Sequence, residues 1–145
     1  MESRFTKKEI EELKQAIANA EKNSSAEIKV HIESSCNEDV YERAVNIFNK
    51  LEMFKTKLRN GVLIYLAIDS KHFAIIGDIG INDKVGETFW VEIKNKAIEC
   101  FKDNRYTDGL IIAIKESGIA LKEHFPYETD DVNELSDDIS FGKTK

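Results

Sequence analysis

The chain of 145 residues is poor in several things that would have named a function class at once. It has only two cysteines, Cys36 and Cys100. Their separation is not a metal-ligand spacing, and in a chain read as cytosolic a disulfide is not expected. The reading is a loop thiol and a buried small hydrophobe. No stretch approaches the roughly 20 apolar residues that span a bilayer. Residues Met1 to Lys8 lead directly into an amphipathic helix and lack the apolar centre of a signal peptide, so the expected compartment is cytoplasmic. Positive charge is also lacking: 21 Lys and Arg face 27 Asp and Glu, for a net charge of −6. A counterion-release mode of nucleic-acid binding has no global charge to drive it, and an anionic membrane surface is disfavoured on the same ground. No nucleophile elbow, Gly-rich phosphate loop or Walker motif occurs, and His31, His72 and His124 fall on three different elements without ligand spacing.

What is present is one ordinary globular domain with 41% hydrophobic and 33% charged residues. Thr6 and Glu9 have capping-box spacing, and Ile10, Leu13, Ile17 and Ala20 continue at helical intervals to about Lys22. Ile28, Val30 and Ile32 alternate with Lys29, His31 and Glu33, which reads as a strand with one core face and one wet face. Asp39 caps a helix with Tyr41, Ala44, Val45, Phe48 and Leu51 on one side. Lys55 to Arg59 reads as a basic, mobile connection. Val62 to Ile68 is a continuous apolar run, as a central strand covered on both faces requires. Asp69-Ser70-Lys71 turns it into a second run, His72 to Gly77, as an antiparallel hairpin. A long helical segment carrying Phe89, Trp90, Ile93, Ala97, Cys100 and Phe101 follows, then a break from Asp103 to Thr107. A last helix bears Leu110, Ile114, Gly118, Leu121 and Phe125 in one stripe and stops at Pro126, the chain's single proline. That break reads as an interhelical turn in which Thr107 or Asp108 caps the last helix. The expected fold is an α/β/α sandwich, a small mixed sheet with helices on both faces, with residues 1–125 as one domain.

The remaining residues, 126–145, hold six acids and two lysines, which is −4 of the chain's −6. Val132, Leu135, Ile139 and Phe141 are interspersed among the acids, so this acidic tail has apolar groups to dock on the domain.

Strand direction suggests where chemistry gathers. With the first two strands parallel by the crossover rule and the third returning antiparallel, the end of the third lies beside the starts of the other two. That brings Asp78, Gly80 and Asp83 near Asn60 and near Ser25 and Glu27. These are oxygen donors, carboxylates, an amide and loop carbonyls, and hard cations such as Ca2+ and Mg2+ prefer that set. The expected divalent-cation ligands are therefore Glu27, Asn60, Asp78, Gly80 through its carbonyl, and Asp83. The structural alternative has Asp78 ending a strand and Asp83 capping the next helix.

Four ordered segments carry a resemblance: Ser25-Ala26-Glu27-Ile28-Lys29-Val30, Arg59-Asn60-Gly61-Val62-Leu63-Ile64-Tyr65-Leu66, Phe73 through Asp83, and Phe101-Lys102-Asp103-Asn104-Arg105-Tyr106 with Gly109-Leu110. They resemble the TPM domain family over roughly residues 5–125, and the chain looks like its stand-alone soluble bacterial branch. The resemblance implies an α/β/α sandwich, divalent-cation binding with calcium in several members, and, for plant relatives, acid phosphatase activity. Three readings follow: a divalent-cation-binding domain, a metal-assisted phosphatase, and a module that docks on a protein partner. The expected partners are a divalent ion and a protein, with no nucleic acid and no membrane, for a chain expected to be a monomer.

Overall fold

A computed structural model describes residues 4–22, 24–126 and 139–142. Among these, helix α1 (Lys7–Glu21) begins at Thr6, whose hydroxyl accepts from the Glu9 amide while the Glu9 carboxylate accepts from the Thr6 amide, so the capping box forms as its spacing requires. Strand β1 (Glu27–Glu33), helix α2 (Val40–Lys50), a single 3₁₀ turn Met53–Lys55, strand β2 (Gly61–Ala67) and strand β3 (His72–Gly77) come next. Helices α3 (Ile79–Val85), α4 (Glu87–Lys102) and α5 (Tyr106–His124) follow, and strand β4 (Ser140–Phe141) is last.

The sheet is mixed, in the order β3-β2-β1-β4. β1 runs parallel to β2 and β2 antiparallel to β3, as the crossover and hairpin readings expect. Alternation along the strands assigns two cores. Ile28, Val30, Ile32, Val62, Ile64, Leu66, Phe73 and Ile75 pack with Leu13 and Ile17 of α1, Ala97 and Phe101 of α4, and Leu110, Ile114 and Leu121 of α5. On the other face Leu63, Tyr65, Ala67, Ala74 and Ile76 meet Ala44, Ile47 and Phe48 of α2 together with Met53. Every residue of β2 is buried, which is why its sequence is an unbroken apolar run. The fold is the α/β/α sandwich expected from the order of elements.

Several local expectations are corrected. The long helical segment forms as α4, and a short helix not expected, α3, precedes it; Gly86 at φ +77 separates the two in a conformation that side chains disfavour. Thr107 and Asp108 do not cap α5; they lie within its first turn, with Thr107 donating to the Glu9 carboxylate. Cys36 is the loop thiol expected, between β1 and α2, and it is buried like Cys100. The buried face of α2 is turned so that Ile47 is inside and Tyr41 is 59% exposed. The face of β1 expected to be wet is largely covered: Lys29 is half-buried and His31 and Glu33 are buried, because Arg43 of α2 reaches Glu33 and β4 pairs in parallel with β1 at His31 and Ile32.

Residues 127–138 lie outside the described residues, and with them all six acids of the tail. Residues 139–142 sit on the edge of β1. Gly142 donates to the Ile32 carbonyl, and a Cβ there would come 2.2 Å from Glu33 Cγ, so only glycine allows this approach. Under it lies a polar cluster. Glu33 accepts from Arg43 and from the Tyr65 hydroxyl and faces His31 Nε2 at 3.4 Å, while His31 Nδ1 is 2.7 Å from Ser140 Oγ.

Candidate functional site

The register brings Glu27, Asn60 and Asp78 to one edge of the sheet. Glu27 stands opposite Gly61, and Asp78 donates its amide to the Gly61 carbonyl at 2.9 Å, so Glu27, Gly61 and Asp78 form one row across three strands. Strand alternation puts Glu27 and Asp78 on the face of Leu63 and Ile76, over which α2 packs, whereas Asn60 is one residue out of phase. Two strand spacings, about 10 Å, separate the backbones of Glu27 and Asp78. Gly61 in the middle leaves its place to Met53, whose carbonyl would be 2.9 Å from a Cβ there.

Asp78 is 6% exposed and has three hydrogen-bond donors on its carboxylate. Arg59 binds it in a fork, Nε at 2.7 Å and Nη2 at 2.8 Å, and the Ile79 amide donates at 2.8 Å as α3 begins. The Arg59 side chain is 45% exposed and its backbone is left-handed, at φ +52. The pair therefore clamps a strained loop onto the end of β3. Asn60, 1% exposed, takes its amide hydrogen bond to Thr56 Oγ1 at 3.1 Å and reaches Ser25 Oγ with Nδ2 at 3.4 Å. Its Oδ1 is buried and receives no hydrogen bond among the described residues. Such an acceptor costs about 1–3 kcal/mol when it is left unmet.

Gly80 and Asp83 are placed differently from the expectation. Gly80 is the second residue of α3, and its carbonyl is directed along the helix axis toward Lys84, not into the Asp78 corner. Its amide donates to Arg59 O at 2.8 Å, and a Cβ would meet Leu58 O at 2.1 Å, so the glycine serves a close backbone approach. Asp83 is exposed on α3 and caps nothing; the residue before α4 is Gly86. Among the described residues no three His, Cys, Asp or Glu side chains are grouped so that they could hold a metal ion. Asp78, Asn60 and Glu27 thus remain as buried oxygen donors at this edge, with Arg59 as the cation already on Asp78.

Sequence reading missed Arg59 as the partner of Asp78. Its signal was the acid-free run from Met53 to Ile68, which sets a lone arginine next to the strand start. It also missed the Glu33 cluster. There, the signal lies only in the register, which sets His31 opposite the buried Tyr65.

The TPM domain family matches residues 1–118. The chain belongs to the TPM domain family. Among solved structures, this TPM domain is similar to the BA42 protein of the psychrophilic bacterium Bizionia argentinensis, with a TM-score of 0.88, 44% identity and 95% of each chain covered. It is also similar to the N-terminal domain of the cg2496 protein of Corynebacterium glutamicum, at a TM-score of 0.67 and 12% identity over 91% of this chain and 82% of that one, a likeness of fold alone. Comparison with curated proteins gave no match. Among the described residues, no helix of this TPM domain is long and apolar enough to cross a membrane.

Proposed function

We propose that this TPM domain is a divalent-cation-binding module in which Ca2+, or Mg2+, takes the place of the Arg59 guanidinium on Asp78. The observation that carries the reading is the buried Asn60 Oδ1 without a hydrogen bond, one residue from the arginine that neutralises a buried carboxylate. A hard cation meets both needs: it satisfies a neutral oxygen acceptor and balances a carboxylate. Arg59 is nearly half exposed, so its side chain leaves for water at small cost, and the carboxylate it releases stays held by the Ile79 amide. Asp78 anchors the ion, Asn60, one residue out of phase, supplies the neutral oxygen by turning its side chain about the strand start, and Glu27, two strands along the same row, adds its carboxylate through a bridging water. Asp83 and the Gly80 carbonyl have no part in it.

The test is a titration of the full chain with Ca2+ and with Mg2+, followed by backbone amide NMR. The expected result is a weak site, with Kd on the order of 0.1–1 mM, and shifts concentrated at residues 25–28, 58–61 and 77–80. Arg59→Gln removes the competing charge and should tighten binding about fivefold, the worth of an exposed ion pair near 1 kcal/mol. Asp78→Asn should abolish it. Absence of shifts at about 10 mM metal, or an Asp78→Asn variant that binds as well as the parent, overturns the reading.

A further inference from the structure

Six large hydrophobic side chains stand exposed among the described residues: Tyr41, Phe54, Leu58, Ile79, Val91 and Ile119. Two of these, Leu58 and Ile79, share one corner, and Phe54 stands four residues before Leu58 in the same connection. Phe54 and Leu58 lie on the 3₁₀ turn and the connection to β2, 38% and 49% exposed, and Ile79, 58% exposed, opens α3. Leu58 and Ile79 are brought together by the close approach of Gly80 to the Leu58 and Arg59 carbonyls.

The corner is basic as well as apolar. Lys55, Lys57 and Arg59 interleave with Phe54 and Leu58 in a run that has no acid from Met53 to Ile68, and Lys84 is exposed on α3 one turn beyond Gly80. Glu52 pairs with Lys55 at 3.1 Å, Asp78 pairs with Arg59, and Asp83 is exposed on α3, so four cations against three acids leave the corner one charge positive. The connection is not the mobile segment expected of it. Met53 and Thr56 are buried anchors, Arg59 N donates to Thr56 O at 3.2 Å and Asn60 N to Thr56 Oγ1, so Phe54 and Leu58 are held outward while Met53 and Thr56 point in.

We propose that this corner docks on an anionic lipid bilayer, with Leu58, Ile79 and Phe54 entering the headgroup boundary and the cations at lipid phosphates. Apolar tips ringed by lysine and arginine are the chemistry that such an interface selects. A bound peptide would want a groove, and two hollows of the described surface lie elsewhere: one is lined by Lys96, Glu99 and Ile112 among others, the second by Ala16, Gly118 and Ile119 among others. A field that falls off within a Debye length, about 8–10 Å, responds to the local corner more than to the sum over the chain.

The test is sedimentation of the full chain with vesicles of phosphatidylglycerol and phosphatidylcholine against phosphatidylcholine alone, at low salt. EDTA is present throughout, so the result does not depend on the cation reading above. The chain should partition onto the anionic vesicles and not onto the neutral ones. Leu58→Gln with Ile79→Gln should lower the partition coefficient at least about tenfold, and Lys55→Gln and Lys84→Gln about fivefold each. Ile119→Gln, an equally exposed side chain on α5, should leave it unchanged, and all variants should melt with the parent. No partition onto anionic vesicles overturns the proposal, as does binding to an acidic peptide without binding to vesicles. It is overturned equally by an Ile119→Gln loss as large as that of the Leu58 and Ile79 pair.

Discussion

Replacing Glu33 by glutamine tests how much the buried polar cluster under β4 contributes to the fold. Burial alone would push the Glu33 carboxyl up, but hydrogen bonds from Arg43 and Tyr65, with the Arg43 charge and His31 behind them, outweigh it and bring it from 4.5 down to about 2. At about 1.4 kcal/mol for each pH unit that difference corresponds to about 3 kcal/mol in full. Arg43 is 30% exposed, water screens the pair on that side, and about 2 kcal/mol is a fair expectation. Glutamine keeps the shape and an acceptor oxygen while it removes the charge. At roughly 3 °C for each kcal/mol in a chain of this length, the variant should melt about 6 °C below the parent at pH 7.

A carboxyl whose folded pKa is depressed stabilises the fold above its unfolded pKa and loses that contribution as pH falls through the folded value. The gap between parent and variant should therefore stand in full above about pH 4.5 and close between 4.5 and about 2. His31 modifies the profile in a separate window. Desolvation holds its ring below 6.5 while Glu33 raises it, and Arg43 and Lys50 oppose protonation. The fold thus binds this proton less readily than the unfolded chain does, and stability falls as pH drops below about 6.5. Without the Glu33 charge the ring is lowered further, so the gap should widen slightly between pH 6.5 and 5 before it closes. Thermal unfolding by circular dichroism from pH 2 to 7 reads both effects. A gap that stays constant down to pH 2.5, or no gap at pH 7, would refute this account.

Two more substitutions test packing. Gly80→Ala places a methyl 2.1 Å from Leu58 O and must displace backbone, so it should cost about 2–3 kcal/mol and disturb the amide signals of residues 58–60; a melting point within 1 °C of the parent would show that the approach is not tight. Ser117→Ala should go the other way. Ser117 is fully buried in α5 and its hydroxyl has no hydrogen-bond partner among the described residues, so alanine removes an unmet polar group and improves helix propensity. Urea denaturation should show a gain of about 0.5–1.5 kcal/mol, and a loss would mean that the hydroxyl is satisfied.

The candidate site was legible in part because topology is strongly coded. The apolar run of β2, the three-residue link to β3 and the helical crossover from β1 fix strand directions, and those directions alone carry Glu27, Asn60 and Asp78 to one edge. What happens there depends on phase and on close approach. A one-residue difference in alternation separates Asn60 from Glu27 and Asp78, and the short helix α3 turns the Gly80 carbonyl away and leaves Asp83 in solvent.

By itself the sequence determined the layer order, the sheet directions and the family of this protein, because period, turn chemistry and apolar run length are local properties that survive being read one residue at a time. Only the tertiary structure decided which polar groups meet. Arg59 on Asp78, His31 and Glu33 covered on the side that alternation marks as wet, and Leu58 beside Ile79 all join residues distant in sequence or covered by a later element. A carboxylate pattern along a chain is silent about the cation that neutralises it. That partner is set by the packing of α2, β4 and the connection to β2, and packing is a property of the whole fold.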